Sequence, residues 1–181
     1  RASTVTAEEL LAMGSDAPFE LIQGELVRMS PSAGKSNYVL GNVHSVIRDF
    51  VRPRTLGNVS VGEAGYRLET DPDSVVSPDV GYVARNRMPN PIPDRGYIPL
   101  RPDLAVEVIS PTDERGDIER KQARYARVGV LLFWGIDPSR ETATVHAVGA
   151  SARMIDRTGV LDGGDILPGF QVLLAELFDE L

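Results

Sequence analysis

Apolar residues recur along this chain with two different periods, and each change of period marks a new element. Thr6-Ala-Glu-Glu, followed by Leu10 and Leu11, sets Thr6 three residues ahead of Glu9 in the form of a capping box and predicts a short helix ending near Gly14. From Phe19 to Met29 the segment FELIQGELVRM alternates apolar and polar positions around Gln23-Gly24, which predicts a β-hairpin turned at the glycine. The SPSAGKSN segment after it reads as a loop. Tyr38 to Val51 then places Val39, Val43, Val46, Ile47 and Phe50 at helical spacing, so one helix face is expected to be buried.

Strands are predicted for Val59 to Leu68 and Val80 to Val83, separated by the polar turn Asp71-Pro-Asp-Ser. Five prolines between Met88 and Pro102 forbid regular ladders and predict a long loop. Leu104 to Ile109 is nearly continuous in apolar residues, as in a central strand covered on both faces. Asp117 is placed to cap the next helix, which runs to about Val128 before Gly129 stops it. Val130 to Ile136 and Thr142 to Val148 predict two further strands, and Leu173 to Phe178 a short closing helix after the Asp162-Gly-Gly-Asp turn. Interleaved helices and strands point to an α/β or α+β fold, a mixed sheet with helices on its faces.

A length of 181 residues suits one domain spanning 1–181 with a sizeable core. The apolar fraction of 42% includes no run near the ~20 residues that a membrane span needs. No charged and then apolar leader opens the chain, and cytoplasm is the expected compartment. With no cysteine and two isolated histidines, His44 and His146, disulfides, thiolate catalysis and cysteine zinc sites are excluded, and any metal would be held mainly by oxygen. The net charge of −7 argues against nonspecific coating of nucleic acid, yet leaves room for a local basic cleft.

Two stretches break the apolar pattern in the same way. SPDVGYVA sets Asp79, and DLAVEVISPTD sets Glu107, inside runs that otherwise look buried. A charge there is costly unless it is paired or bound to metal. Two such carboxylates with a backbone carbonyl, that of Val108, would form a half-shell for a hard divalent ion; paired with arginines, or capping turns, they would be structural instead. Lys121 shares a helical stripe with Ile118, Gln122 and Tyr125, so its ammonium can point inward towards them. Tyr125 and Trp134 read as core aromatics.

The ordered set SPDVGYV, DLAVEVISPTD, IERKQARYARVGV, LFWGIDPSRETATVHAV and LPGFQVLLAELF, with the earlier FELIQGELVRMSP, resembles the Uma-two family of the PD-(D/E)XK restriction-endonuclease-like superfamily. The resemblance implies a restriction-endonuclease-like mixed central sheet flanked by helices, carrying an N-terminal β-hairpin extension. It also implies a Mg²⁺- or Mn²⁺-dependent endonuclease acting on DNA, with a homodimer expected where two strands are addressed. Carried over, Asp79 and Glu107 become metal ligands and catalytic acids, and Lys121 supplies the lysine because Ile109 stands two residues after Glu107. Glu25 and Glu63 are possible additional acids. A histidine that often opens the second helix of the family is replaced here by Lys35, Ser36 and Asn37. The competing expectation is a catalytically inactive module of the same fold that binds protein or nucleic acid.

Overall fold

The computed structural model describes residues 4–14, 18–29, 34–111, 113 and 116–179. Helix α1 (Ala7–Ala12) carries the full capping box: the Thr6 hydroxyl accepts from the Glu9 N–H at 3.1 Å, and the Glu9 carboxylate accepts from the Thr6 N–H at 2.8 Å. The hairpin is present as β1 (Phe19–Ile22) and β2 (Glu25–Arg28). Its turn places Gln23 and Gly24 at φ 50° and 80°, the left-handed region in which glycine is unstrained. Of the expected SPSAGKSN loop, residues 30–33 lie outside the described residues, and Gly34 to Asn37 form the first turn of α2 (Gly34–Val51).

The strand expected from Val59 to Leu68 is two strands in different sheets, β3 (Gly57–Val61) and β4 (Tyr66–Glu69). Glycines make the break: Gly62 turns at φ 72°, and a Cβ on Gly65 would stand 2.4 Å from the Tyr97 ring. β5 (Ser74–Val76) pairs with both β1 and β4, so the hairpin belongs to a four-stranded antiparallel sheet ordered β2-β1-β5-β4. β6 (Val80–Ala84) and β7 (Leu104–Val108) follow, and α3 (Asp117–Arg127) crosses over to β8 (Leu132–Asp137), which lies parallel to β7. Gly116 at φ 92°, rather than Asp117, occupies the cap position of α3, and Asp117 is its first helical residue.

β9 (Thr142–Ala147) and β10 (Arg153–Ile155) complete a six-stranded mixed sheet ordered β10-β9-β8-β7-β6-β3. A two-stranded ribbon, β11 (Val160–Asp162) with β12 (Gln171–Leu173), leads into a closing 3₁₀ turn, Leu174–Leu177. Side chains alternate across β7 and define the two faces. Leu104, Val106 and Val108 join the cluster made with α2 and the C-terminal segment, whereas Ala105 joins Tyr125, Val130, Phe133 and Val76 around α3. Trp134 lies fully buried in the first cluster, 5.7 Å from the Phe170 ring. Each large apolar side chain removed from water there contributes about 1.5–3 kcal/mol before ordering costs. Among the described residues, no helix is long and apolar enough to cross a membrane.

α3 is therefore held between two sheets. Ile118 packs so closely on Gly135 of β8 that an added Cβ would stand 2.8 Å from Ile118 Cγ1. From the other side, Ile22 and Leu68 of the smaller sheet pack on the same cluster. Two ion pairs fasten that contact: Arg124 to Glu20 of β1 at 3.1 Å and Arg127 to Glu69 of β4 at 2.9 Å.

Candidate active site

β6 and β7 run antiparallel with Val80 opposite Val106 and Gly81 opposite Ala105. Continued by one step, this register sets Asp79 opposite Glu107 on the face that α3 covers. The two carboxylates are near enough for the Asp79 charge to raise the proton affinity of Glu107. Asp79 Oδ2 accepts the Val108 N–H at 2.7 Å, which ties the end of β6 to β7. Glu107 is 2% exposed, and both of its oxygens are engaged: Oε2 with Lys121 Nζ at 2.5 Å, and Oε1 with the Tyr125 hydroxyl, which donates at 2.7 Å. Lys121 and Tyr125 stand one turn apart on α3, so a single helix face reads a single carboxylate.

Electrostatics in this corner oppose the bare anions. Burial pushes Glu107 up to about 7, with Asp79 and Glu20 adding to the rise and Lys121 opposing it. Asp79 is raised by burial as well, partly offset by the Val108 N–H and Lys121. Burial works against the Lys121 ammonium, but the adjoining Glu107 carboxylate outweighs it and holds the lysine charged. Tyr125 is raised well above its ordinary value by burial and then by Glu107, so its hydroxyl remains a donor.

Beside Glu107 and Lys121 opens a cleft of about 250 Å³, bordered by Val108, Ile109, Asp113 and Asp137. Ser36 is buried and donates to the Ile109 carbonyl at 2.9 Å, anchoring the start of α2 to the end of β7. Asp113 accepts the Ser110 N–H at 2.7 Å and adds negative potential at Asp79.

Of the residues singled out by sequence, Asp79, Glu107, Val108 and Lys121 come together. Glu25 and Glu63 do not join them. Glu25 is exposed on β2, the edge strand of the smaller sheet. Glu63 is exposed in the turn after β3, and although Gly62 beside it donates to the Asp79 carbonyl at 3.0 Å, the Glu63 side chain makes no bond to the site. Glu20, which the sequence reading passed over, is the buried acid of the hairpin. Its oxygens accept from the Ser77 N–H at 3.0 Å and from Arg124 at 3.1 Å, just ahead of Asp79 and on the helix of Lys121. The signal was present in FELI, where a glutamate sits between a phenylalanine and a leucine. Tyr125 is the core aromatic expected, and its hydroxyl is also part of the site.

The donor chemistry fits a hard divalent ion. Two crowded carboxylates with raised proton affinity supply oxygen only, and a cation between them would relieve the repulsion. Protein ligands would be few: among the described residues, no group of three His, Cys, Asp or Glu side chains is arranged to hold a metal. Water would complete the shell, as is usual for Mg²⁺.

The mixed sheet thus carries a carboxylate pair where β6 meets β7 and a lysine from the crossover helix. The fold matches at TM-score 0.81 the crystal structure of a protein from Anabaena variabilis, described as "a putative nuclease belonging to DUF820". The two are 20% identical, over 96% of this chain and 97% of that one. Residues 7–177 match the Uma2 family, described as "Putative restriction endonuclease", and the chain belongs to that family. No protein of curated function matches it.

Proposed function

We propose that this chain is a metal-dependent endonuclease that hydrolyses phosphodiester bonds in DNA. Asp79, Glu107 and the Val108 carbonyl would hold Mg²⁺ or Mn²⁺. Such an ion, when bound, supplies an acidified water and charge stabilisation at the phosphate. Lys121 keeps its proton and sets a positive charge beside the carboxylates, where it orients the attacking water or offsets charge gathering on the phosphate oxygens. Tyr125 fixes the rotamer of Glu107, and the Val108 N–H fixes that of Asp79. Glu20 holds Arg124 and, through it, the pitch of α3. A homodimer would address both strands of a duplex.

The observation that carries this reading is the meeting of Lys121 with Glu107 at 2.5 Å from a separate helix, directly across from Asp79. The test is cleavage of linear, supercoiled and single-stranded DNA with Mn²⁺. Lys121→Ala should keep its fold and metal affinity while losing about 100-fold or more in rate, the scale for a positioned transition-state donor. Lys121→Arg should restore little, since a planar guanidinium presents its donors differently. Asp79→Ala serves as the contamination control. Equal cleavage by all four proteins would sink the catalytic reading. What would remain is a binding module of the same fold, a reading supported by the full occupation of both Glu107 oxygens within the protein itself.

A further inference from the structure

At the opposite end of β6 lies a group of arginines that the carboxylate centre does not use. Arg48 in the last turn of α2, Arg52 just beyond it and Arg85 just after β6 line an open cleft of about 410 Å³ together with Val51, Asn58 and Val59. Among the described residues, no acidic side chain lines it. Among the described residues, none of these three guanidiniums makes a hydrogen bond or ion pair, whereas Arg67, Arg87, Arg124, Arg127 and Arg157 each hold a carboxylate. Counter-charges are not scarce, for the chain has 26 acidic residues against 19 Lys and Arg. The negative end of the α2 dipole favours cations in its last turn, which accounts for Arg48 and Arg52. It does not account for Arg85, which arrives from a strand.

We infer that this cleft is a phosphate-binding site, separate from the carboxylate centre, for a phosphate group carried by DNA or by a free phosphate ester. Guanidinium forks match phosphate oxygens in bidentate fashion, and Asn58 adds an amide donor at the same opening. From Asp79 to Arg85 is six residues along β6, about 20 Å at ~3.3 Å per residue. A duplex lying with its axis along β6 would advance by about six base pairs, at ~3.4 Å each, over that distance. The site thus fits a backbone contact well away from the scissile bond, or a small phosphate ester held independently.

The experiment is a calorimetric titration of the full chain with inorganic phosphate, in chelator and at constant ionic strength. Saturable one-to-one binding is expected. Affinity should fall at least tenfold in Arg52→Gln/Arg85→Gln and remain unchanged in Arg54→Gln, which removes a neighbouring charge that stacks on Phe50, 4.1 Å from the ring centroid, outside the cleft. These side chains are exposed, and circular dichroism would confirm that the variants fold. Absence of saturation, or an unaltered double variant, overturns the proposal. A second arm measures metal-free duplex binding against salt. A slope lowered by about 1–2 in the double variant, at ~0.9 per phosphate contact, assigns the DNA backbone, and an unchanged slope with phosphate binding lost assigns the free ester. Neither arm depends on cleavage, so an inactive carboxylate centre would leave both readable.

Discussion

In metal-free protein, Glu107→Gln should be more stable than the native chain at pH 8 and nearly equal to it at pH 5. The ordinary value for glutamate is 4.5, and Glu107 in the fold stands at about 7. Between those two values the unfolded chain has released the proton that the folded chain still holds, so native stability falls as pH rises through this window. The interval between 4.5 and about 7, at about 1.36 kcal/mol per pH unit, amounts to about 3 kcal/mol. Glutamine keeps the shape, can still accept from Tyr125 and carries no charge to desolvate, so its profile should lack that decline. For a chain of this size, 3 kcal/mol corresponds to roughly 6–12 °C in Tm. Urea unfolding from pH 4.5 to 8.5 in chelator would measure it. The lowered His44 titration is common to both proteins and drops out of the difference. A variant less stable than the native chain at pH 8, by the roughly 3–5 kcal/mol of a broken buried ion pair, would refute the reasoning and make Glu107 and Lys121 a stabilising pair.

Mn²⁺ or Mg²⁺ at a hundredfold excess over Kd should stabilise the native chain by about 2.7 kcal/mol, and Asp79→Asn should abolish that gain; an undiminished gain would place the ion elsewhere. Glu20→Gln leaves the largely buried Arg124 without its anion and should cost about 3 kcal/mol or more by urea unfolding, with a near-neutral result removing the hairpin from any role in seating α3. Gly135→Ala should cost about 1–3 kcal/mol because Ile118 must retreat. It should also depress any DNA cleavage further than that loss explains, since Lys121 moves with the helix; unaltered cleavage would show that α3 tolerates displacement.

The site was legible where a residue contradicted its own surroundings. Asp79 and Glu107 stood out because charges interrupted apolar strands, and Lys121 because helical spacing gave it an apolar stripe. Glu20 escaped although FELI sets it between apolar residues: the resemblance pointed to Glu25 in the same hairpin, and the alternation of a four-residue strand is too short to overrule that. Local pattern cannot reveal which hairpin strand pairs inward. That followed from β5, more than fifty residues later, pairing with β1. The split between β3 and β4 turned on a close approach of Tyr97 to Gly65, a contact from the proline-rich loop that no periodicity records. The short strands β10, β11 and β12, three residues each, lie below the length at which alternation distinguishes strand from turn.

The double grip on α3 changes what an ionic-strength series on this protein would mean. Lys121 reaches Glu107 only as far as its helix is seated, and one fastening of that helix, Arg127 to Glu69, is solvent-accessible and so is weakened by salt. Added electrolyte would then act twice, loosening substrate from the surface and relaxing the posture of the lysine. A rate that falls more steeply with salt than equilibrium DNA affinity does would be the kinetic trace of the second effect. Neutralising the pair through Glu69→Gln and Arg127→Gln together would bring the two slopes back into line.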